Sequence, residues 1–226
     1  MRLSHGLSGC SLVFALVAGF GVTGCADPTE GKPKAVVQES TRRDTARPEL
    51  PSKPGVGYSI TTAHSHVSFV GSKVTGSHDG GFKSFGGQID LVDADPTQSA
   101  IQLMIDTKSL WTDTERLTEH LKSPDFFDVA TYPRAVFAST RIERDGDKYV
   151  ISGDLDLHGV KKNISFPAEI TVGDATIEAK SEFSLKRFDF GIVYPGKTDD
   201  LIRDDVLIKL DLVANRARPA DGTMAR

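Results

Sequence analysis

The sequence is short of everything that could cross-link it or fix a metal through sulfur. Its 226 residues hold two cysteines, Cys10 and Cys25, both near the N-terminus. A disulfide or a cysteine-ligated metal is therefore excluded from everything that follows residue 25. Positive charge is not in excess: 27 Lys and Arg stand against 31 Asp and Glu, a formal net charge of -4 with a pI near 5.9. A nucleic-acid binder would carry a basic footprint, so no nucleic-acid partner is expected. No apolar run approaches the ~20 residues that a membrane-spanning helix requires. The G-x-S-x-G nucleophile elbow and the H-E-x-x-H zinc helix are missing too. What is left fits one domain with appended segments, long enough to bury a sizeable core.

The N-terminus has the layout of an export signal. Arg2 and His5 precede an apolar stretch from Leu12 to Val22 that is too brief to span a bilayer. It closes on Val22-Thr23-Gly24-Cys25, an apolar residue, two small residues and cysteine, which resembles the lipobox of bacterial lipoproteins. That resemblance implies a signal peptide over residues 1–24, removal of Cys10 with it, and acylation of Cys25 as a lipid anchor. The expected location is the periplasm-facing cell envelope. An aspartate does not directly follow Cys25, and this favours the outer membrane. Residues 25–55 show no hydrophobic periodicity and are interrupted by Pro28, Pro33, Pro48, Pro51 and Pro54. They read as a disordered tether that holds a domain away from the membrane. The tail, 217–226, reads as frayed.

Residues 56–216 form the body, and period-two alternation recurs through it. Ile101/Leu103/Ile105, Leu155/Leu157, Ile164/Phe166 and Val206/Ile208/Leu210/Leu212 each share one face of a strand. Turn signals fall at Asp79-Gly80-Gly81, Asp95-Pro96, Asp145-Gly146-Asp147 and Gly173-Asp174, the third a hairpin because Asp-Gly tolerates positive φ. Pro167 marks a bulge or an edge position. Eight or nine strands with little helix between them make an all-β chain, a closed antiparallel barrel or a sandwich. One amphipathic helix breaks the pattern. Thr112-Asp113-Thr114-Glu115 fits a capping box, Leu117 and Leu121 lie one turn apart, and Pro124 stops the helix before Phe126-Phe127.

Four segments resemble the YceI-like family in order: His64-Ser65-His66-Val67-Ser68-Phe69, then His120 to Val129 with Tyr132-Pro133, then Gly153-Asp154-Leu155-Asp156-Leu157-His158-Gly159-Val160, and finally Arg187-Phe188-Asp189-Phe190-Gly191. The resemblance spans about residues 57 to 215. It implies a lipocalin-like antiparallel barrel of about eight strands whose interior holds a long amphiphile, typically a polyisoprenoid, and a binding role rather than an enzymatic one. The chain departs from the family at Gly71-Ser72-Lys73, where a histidine is often found.

A barrel of eight strands is just wide enough for packed side chains or one slim ligand. The expected pocket residues are Phe69, Leu91, Leu103, Trp111, Leu117, Leu121, Phe126, Phe127 and Phe183. Leu117 and Leu121 should face the bore as a lid, with Phe126 and Phe127 at its rim. Neither a catalytic residue nor a cofactor other than the bound lipid is expected; a homodimer is left open. Two motifs compete with this reading. Residues 191–198 match the phosphate-loop pattern G-x-x-x-x-G-K-[ST], but a strand, not a helix, follows. His64 and His66 lie two apart and could share a metal with His78, His120 or His158 in a small metal-dependent binder or enzyme.

Overall fold

The computed structural model describes residues 27–40 and 53–217. The signal segment, Cys25 and residues 218–226 lie outside the described residues. In chain order come β1 (Val36–Glu39), β2 (Val56–Ile60), β3 (His66–Lys73), β4 (Gly76–Phe82), β5 (Phe85–Val92), β6 (Asp95–Asp106) and β7 (Leu110–Thr112). Helix α1 (Glu115–Lys122) is followed by β8 (Arg134–Asp145), β9 (Lys148–Leu157), β10 (Val160–Val172), β11 (Thr176–Lys186), β12 (Gly196–Lys197), β13 (Asp200–Leu201) and β14 (Asp205–Arg216).

Eight strands close into an antiparallel ring in the order β2-β5-β6-β8-β9-β10-β11-β14, with β14 returning to β2. The all-β barrel with one short α-helix is thus what the described residues form. Closure gives each ring strand a partner on both sides over part of its length, which limits the open edges of the sheet. β14 is shared: its C-terminal end pairs with β2 and its N-terminal half with β3, from which β4 and β7 extend beyond the ring. The register sets two ends. At one, which we call the mouth, lie the β3–β4 hairpin, the segment 107–133 with α1, the β9–β10 turn and the segment 187–204. At the far end lie the tight connections β5–β6, β8–β9 and β10–β11.

The alternating residues point inward as the pattern requires, but several turn signals mean something else. Asp79-Gly80-Gly81 is inside β4. A Cβ on Gly80 would sit 2.5 Å from Cζ of Phe69, so this glycine makes room for a ring across the strand pair rather than for a turn. Gly153 does the same for Phe137, at 2.3 Å. Asp95-Pro96 opens β6, and the turn before it is Asp93-Ala94, both residues with positive φ. His158 (φ 54°) and Gly159 (φ 73°) form the two-residue turn between β9 and β10, whose twist matches that of the strands.

The tether expectation is corrected for residues 27–40. Pro28 to Gly31 form a turn, and β1 pairs antiparallel with β10 from Val36↔Ser165 to Glu39↔Lys162. Just upstream, the amide of Ala35 donates to Ser184 O and the amide of Ser184 to Pro33 O, tying the segment to β11 as well. β10 and β11 pair directly only over Glu169–Val172, so toward the mouth they part, and residues 33–39 fill the seam. A strand edge supplies partners that polar, proline-flanked sequence cannot advertise by periodicity. Pro167 sits where β10 changes partners on that side; lacking an N–H, it forfeits nothing there, and its carbonyl accepts from Ser181 Oγ at 2.5 Å. Ala217 still donates to Gly57 O at 2.8 Å, so pairing runs one residue into the stretch expected to fray.

The capping box is not formed either. Thr114, not Thr112, is the N-cap and makes no side-chain cap bond. The Thr112 amide donates instead to Thr118 Oγ1 (2.8 Å), and the Thr112 hydroxyl donates to Thr114 O (2.7 Å), stitching the helix start to β7.

Candidate ligand chamber

The ring's side chains divide the barrel crosswise. Toward the far end Tyr58, Leu91, Ile142, Tyr149 and Ile177 are buried and fill the bore. Toward the mouth the bore opens into a cavity of about 240 Å3. Its wall is made of inward residues two apart: Ile101, Leu103 and Ile105 of β6, Ile164 and Phe166 of β10, Val206 to Leu212 of β14. Three rings line one side: Phe166 stacks on Phe183 at 4.4 Å between centroids and meets Phe137 at 5.7 Å. Aliphatic and aromatic side chains make up most of this lining.

The cover comes from two segments that meet over the mouth. Phe126 and Phe127, adjacent in sequence, diverge. Phe127 turns inward onto Phe82 (5.9 Å) and Phe69 (6.5 Å). Phe126, 4% exposed, packs on His120 (5.0 Å) and on Tyr194 (5.1 Å) of the facing segment. That facing segment is held down by Arg187. Its guanidinium, buried at the cavity wall, donates to the carbonyls of Arg203 (3.0 Å), Ile192 (2.7 Å) and Ile202 (3.2 Å). Burial pushes its pKa down, against the pull of nearby Asp204. Three carbonyl dipoles in a fork replace the lost water. Asp204 also accepts from the Phe188 amide and from Lys186 Nζ, fixing the other side of the segment.

Of the nine pocket residues expected from sequence, Phe69, Leu103, Leu121, Phe126, Phe127 and Phe183 line the cavity. Leu91 does not, because it lies at the end of β5 remote from the mouth, in the packed half. Trp111 is on β7, outside the ring, with its indole against Gly81. Leu117 is half-buried on α1, which packs along β7, and only Leu121, one turn later, reaches the bore. Sequence reasoning passed over Phe82, Phe137, Phe166 and Arg187. The three rings were detectable by strand parity; the role of Arg187 depends on carbonyls that only the fold brings to it.

The histidines do not converge. His78 pairs with Asp113 (2.9 Å), His120 with Asp125 (3.0 Å), and His158 Nδ1 meets Phe190 O (3.2 Å) while Tyr132 packs on its ring. His64 and His66 are exposed, and among the described residues no group of three His, Cys, Asp or Glu is placed to hold a metal. Residues 191–198 run through an irregular segment into the two-residue strand β12, without the helix N-terminus that a phosphate loop uses. A polar groove of about 640 Å3 follows the outside of the β10–β11 seam, and most of its charges are paired: Lys32 with Glu182, Lys148 with Glu169 (2.8 Å) and Lys180 with Asp211 (3.7 Å).

A closed antiparallel barrel, solid at one end and hollow and apolar at the other, defines a protein of the lipocalin-like barrel class. Residues 58–214 match the YceI-like domain, and the chain belongs to that family. It is 32% identical over 146 residues to a UPF0312 protein of Photorhabdus laumondii, covering 61% of this chain and 74% of the relative. It is 37% identical over 117 residues to the YceI protein of Escherichia coli O157:H7, covering 48% and 61%. Among solved structures it resembles BcnA of Burkholderia cenocepacia, with a TM-score of 0.62 and 28% identity over 69% of this chain and 99% of the other. The same fold recurs in a polyisoprenoid binding domain from Saccharophagus degradans, with a TM-score of 0.59 and 22% identity over 72% and 99%.

Proposed function

We propose that this protein is a binding protein that sequesters or carries a long amphiphile, a polyisoprenoid lipid, in the hollow half of its barrel, and that acylation of Cys25 anchors it to the envelope membrane facing the periplasm. The observation that carries the reading is the cavity: an apolar bore beneath an aromatic cover, with Arg187 buried at its mouth. An extended hydrocarbon chain fits such a bore end-on, and its polar head then lies at the mouth, near the donors of Arg187. Burying some hundreds of Å2 of chain at about 25 cal/mol/Å2 contributes roughly 10 kcal/mol before association costs, enough for a retained ligand. The polyisoprenoid-binding domain of the same fold supports this choice of ligand.

Native mass spectrometry and organic extraction of the freshly purified protein test it. A stoichiometric isoprenoid-type lipid is the expected result. Protein that carries no amphiphile and instead holds a stoichiometric metal by elemental analysis would return the histidine reading.

A further inference from the structure

The segment that closes the mouth carries apolar residues on its outer side as well as its inner side, beside exposed Lys197, Thr198, Asp199 and Arg203. Along it Phe190 and Ile192 turn inward, 0% and 4% exposed, and Ile202 lines the cavity. Their sequence neighbours turn outward: Phe188 is 46% exposed, Val193 59% and Leu201 50%. Val74, at the tip of the adjoining β3–β4 hairpin, is 60% exposed, and its amide donates to Leu201 O at 3.3 Å. Other exposed apolar residues, Val36, Val56 and Met104, stand singly on the wall, as is ordinary for soluble proteins. The group of four at the mouth is of the kind that marks an interaction surface.

The course of the N-terminal segment says what that surface meets. Asp27 is fixed to the mouth segment by Arg203, Nη1 to Oδ2 at 3.0 Å, and its carboxylate also accepts from the Thr29 amide and hydroxyl. Lys34 lies 3.8 Å from Asp205, at the same end of β14. Cys25 precedes Asp27 by two residues, which extend at most ~7 Å. A disordered leash of 31 residues would instead give the barrel a root-mean-square reach of roughly 30 Å and free rotation.

We infer that the mouth of the barrel rests on the bilayer, with Val74, Phe188, Val193 and Leu201 in its interface, so that the cavity opens onto lipid rather than water. This rests on the anchoring of Cys25 proposed above. An acyl chain within ~7 Å of Asp27 leaves the barrel little choice of orientation, and the outward apolar residues gain from burial at the headgroup boundary. A ligand chain then passes from membrane to bore between two apolar phases without crossing water.

The test uses the acylated full-length protein in phosphatidylcholine vesicles that contain a quencher lipid. Once Cys10 is removed and Cys25 acylated, no thiol remains, so Leu201→Cys or Asp147→Cys gives a single labelling site, at the mouth and at the far-end hairpin respectively. Val193→Cys is a second mouth probe should Leu201→Cys fold poorly. A bimane at the mouth should be quenched severalfold more strongly than one at residue 147. Mass spectrometry of the same samples reads the modification of Cys25. Equal quenching at both ends in acylated, vesicle-bound protein overturns the orientation and leaves the anchor standing; an unmodified Cys25 overturns both.

Discussion

The far half of the barrel and the mouth half are built from the same strands, yet they solve different problems. The far half is filled: Tyr58, Leu91, Ile142, Tyr149 and Ile177 close the bore, and short turns such as Asp93-Ala94 and Gly146-Asp147 join the strands. The mouth half leaves its centre open and spends its chain on a cover, with Phe126, Phe127 and Tyr194 from two separate segments meeting over the cavity. The difference shows where stability and function part. Side chains that touch one another fill space and stabilise; side chains that face a gap give up contacts that a guest can restore.

The largest expected effect concerns what lies beyond the mouth. Cys25→Ser should move the protein from the membrane fraction to the soluble fraction almost completely; a wild-type protein that is already soluble after export, with an unmodified Cys25, would remove the anchor.

Next comes the contrast between the halves themselves. Phe190→Ala removes a fully buried ring of the mouth segment and should cost about 3–5 kcal/mol by thermal or denaturant unfolding. Asp174→Ala, in the exposed far-end turn, should stay within about 0.5 kcal/mol. Comparable losses would mean that Phe190 is not packed into the barrel as the structure places it.

Leu121→Ala sharpens the comparison further. Leu121 is only half-buried and lines the cavity, so in lipid-free protein its loss should fall below the about 2–5 kcal/mol of a filled core, while retention of bound lipid weakens. A full core penalty with unchanged lipid retention would place it in the structural core and sink its role as a lid.

Acid should loosen the N-terminal segment before the ring. The backbone amide of Thr29, with its hydroxyl and Arg203, holds the Asp27 carboxyl below its ordinary 3.8, and Lys32 lowers Glu182 likewise from 4.5. Groups with depressed values stabilise the folded form fully above their unfolded values, and that contribution fades as pH falls through the folded ones. Exchange protection of the Ala35 and Ser184 amides, corrected for intrinsic rates, should therefore hold from pH 8 to 5 and fall below about pH 4, ahead of protection in β9. Simultaneous loss in both would show that the segment is no separate unit.

The smallest effect is at Lys197, where alanine should change neither stability nor ATP binding. Its backbone lies in β12, where no helix N-terminus supplies amides. Saturable micromolar nucleotide binding that disappears in Lys197→Ala would show that residues 191–198 act as a phosphate loop after all.

Much of the barrel was legible because strand geometry is local: a side-chain period of two writes the inner face directly into residues such as Val206, Ile208, Leu210 and Leu212. The hairpin at Gly146 was equally plain, since a positive φ needs a residue that tolerates it. The glycines of β4 misled, because a glycine that yields space to Phe69 looks in sequence like one that turns the chain. The helix start misled for a related reason: Thr112 had a closer partner in the hydroxyl of Thr118 than in the cap it could have made.

By itself the sequence determined most strands of the ring, their inward faces and the apolar character of the bore, since those follow from backbone period and hydrophobicity residue by residue. Only the tertiary structure decided which inward residues fill the barrel and which leave it hollow, because that depends on how far each lies from the mouth around a staggered ring. It alone decided that residues 33–39 seal the seam between β10 and β11, since a strand edge recruits by hydrogen bonds that any sequence can make. And it alone brought three carbonyls to Arg187, turning one buried cation into the clasp of the mouth.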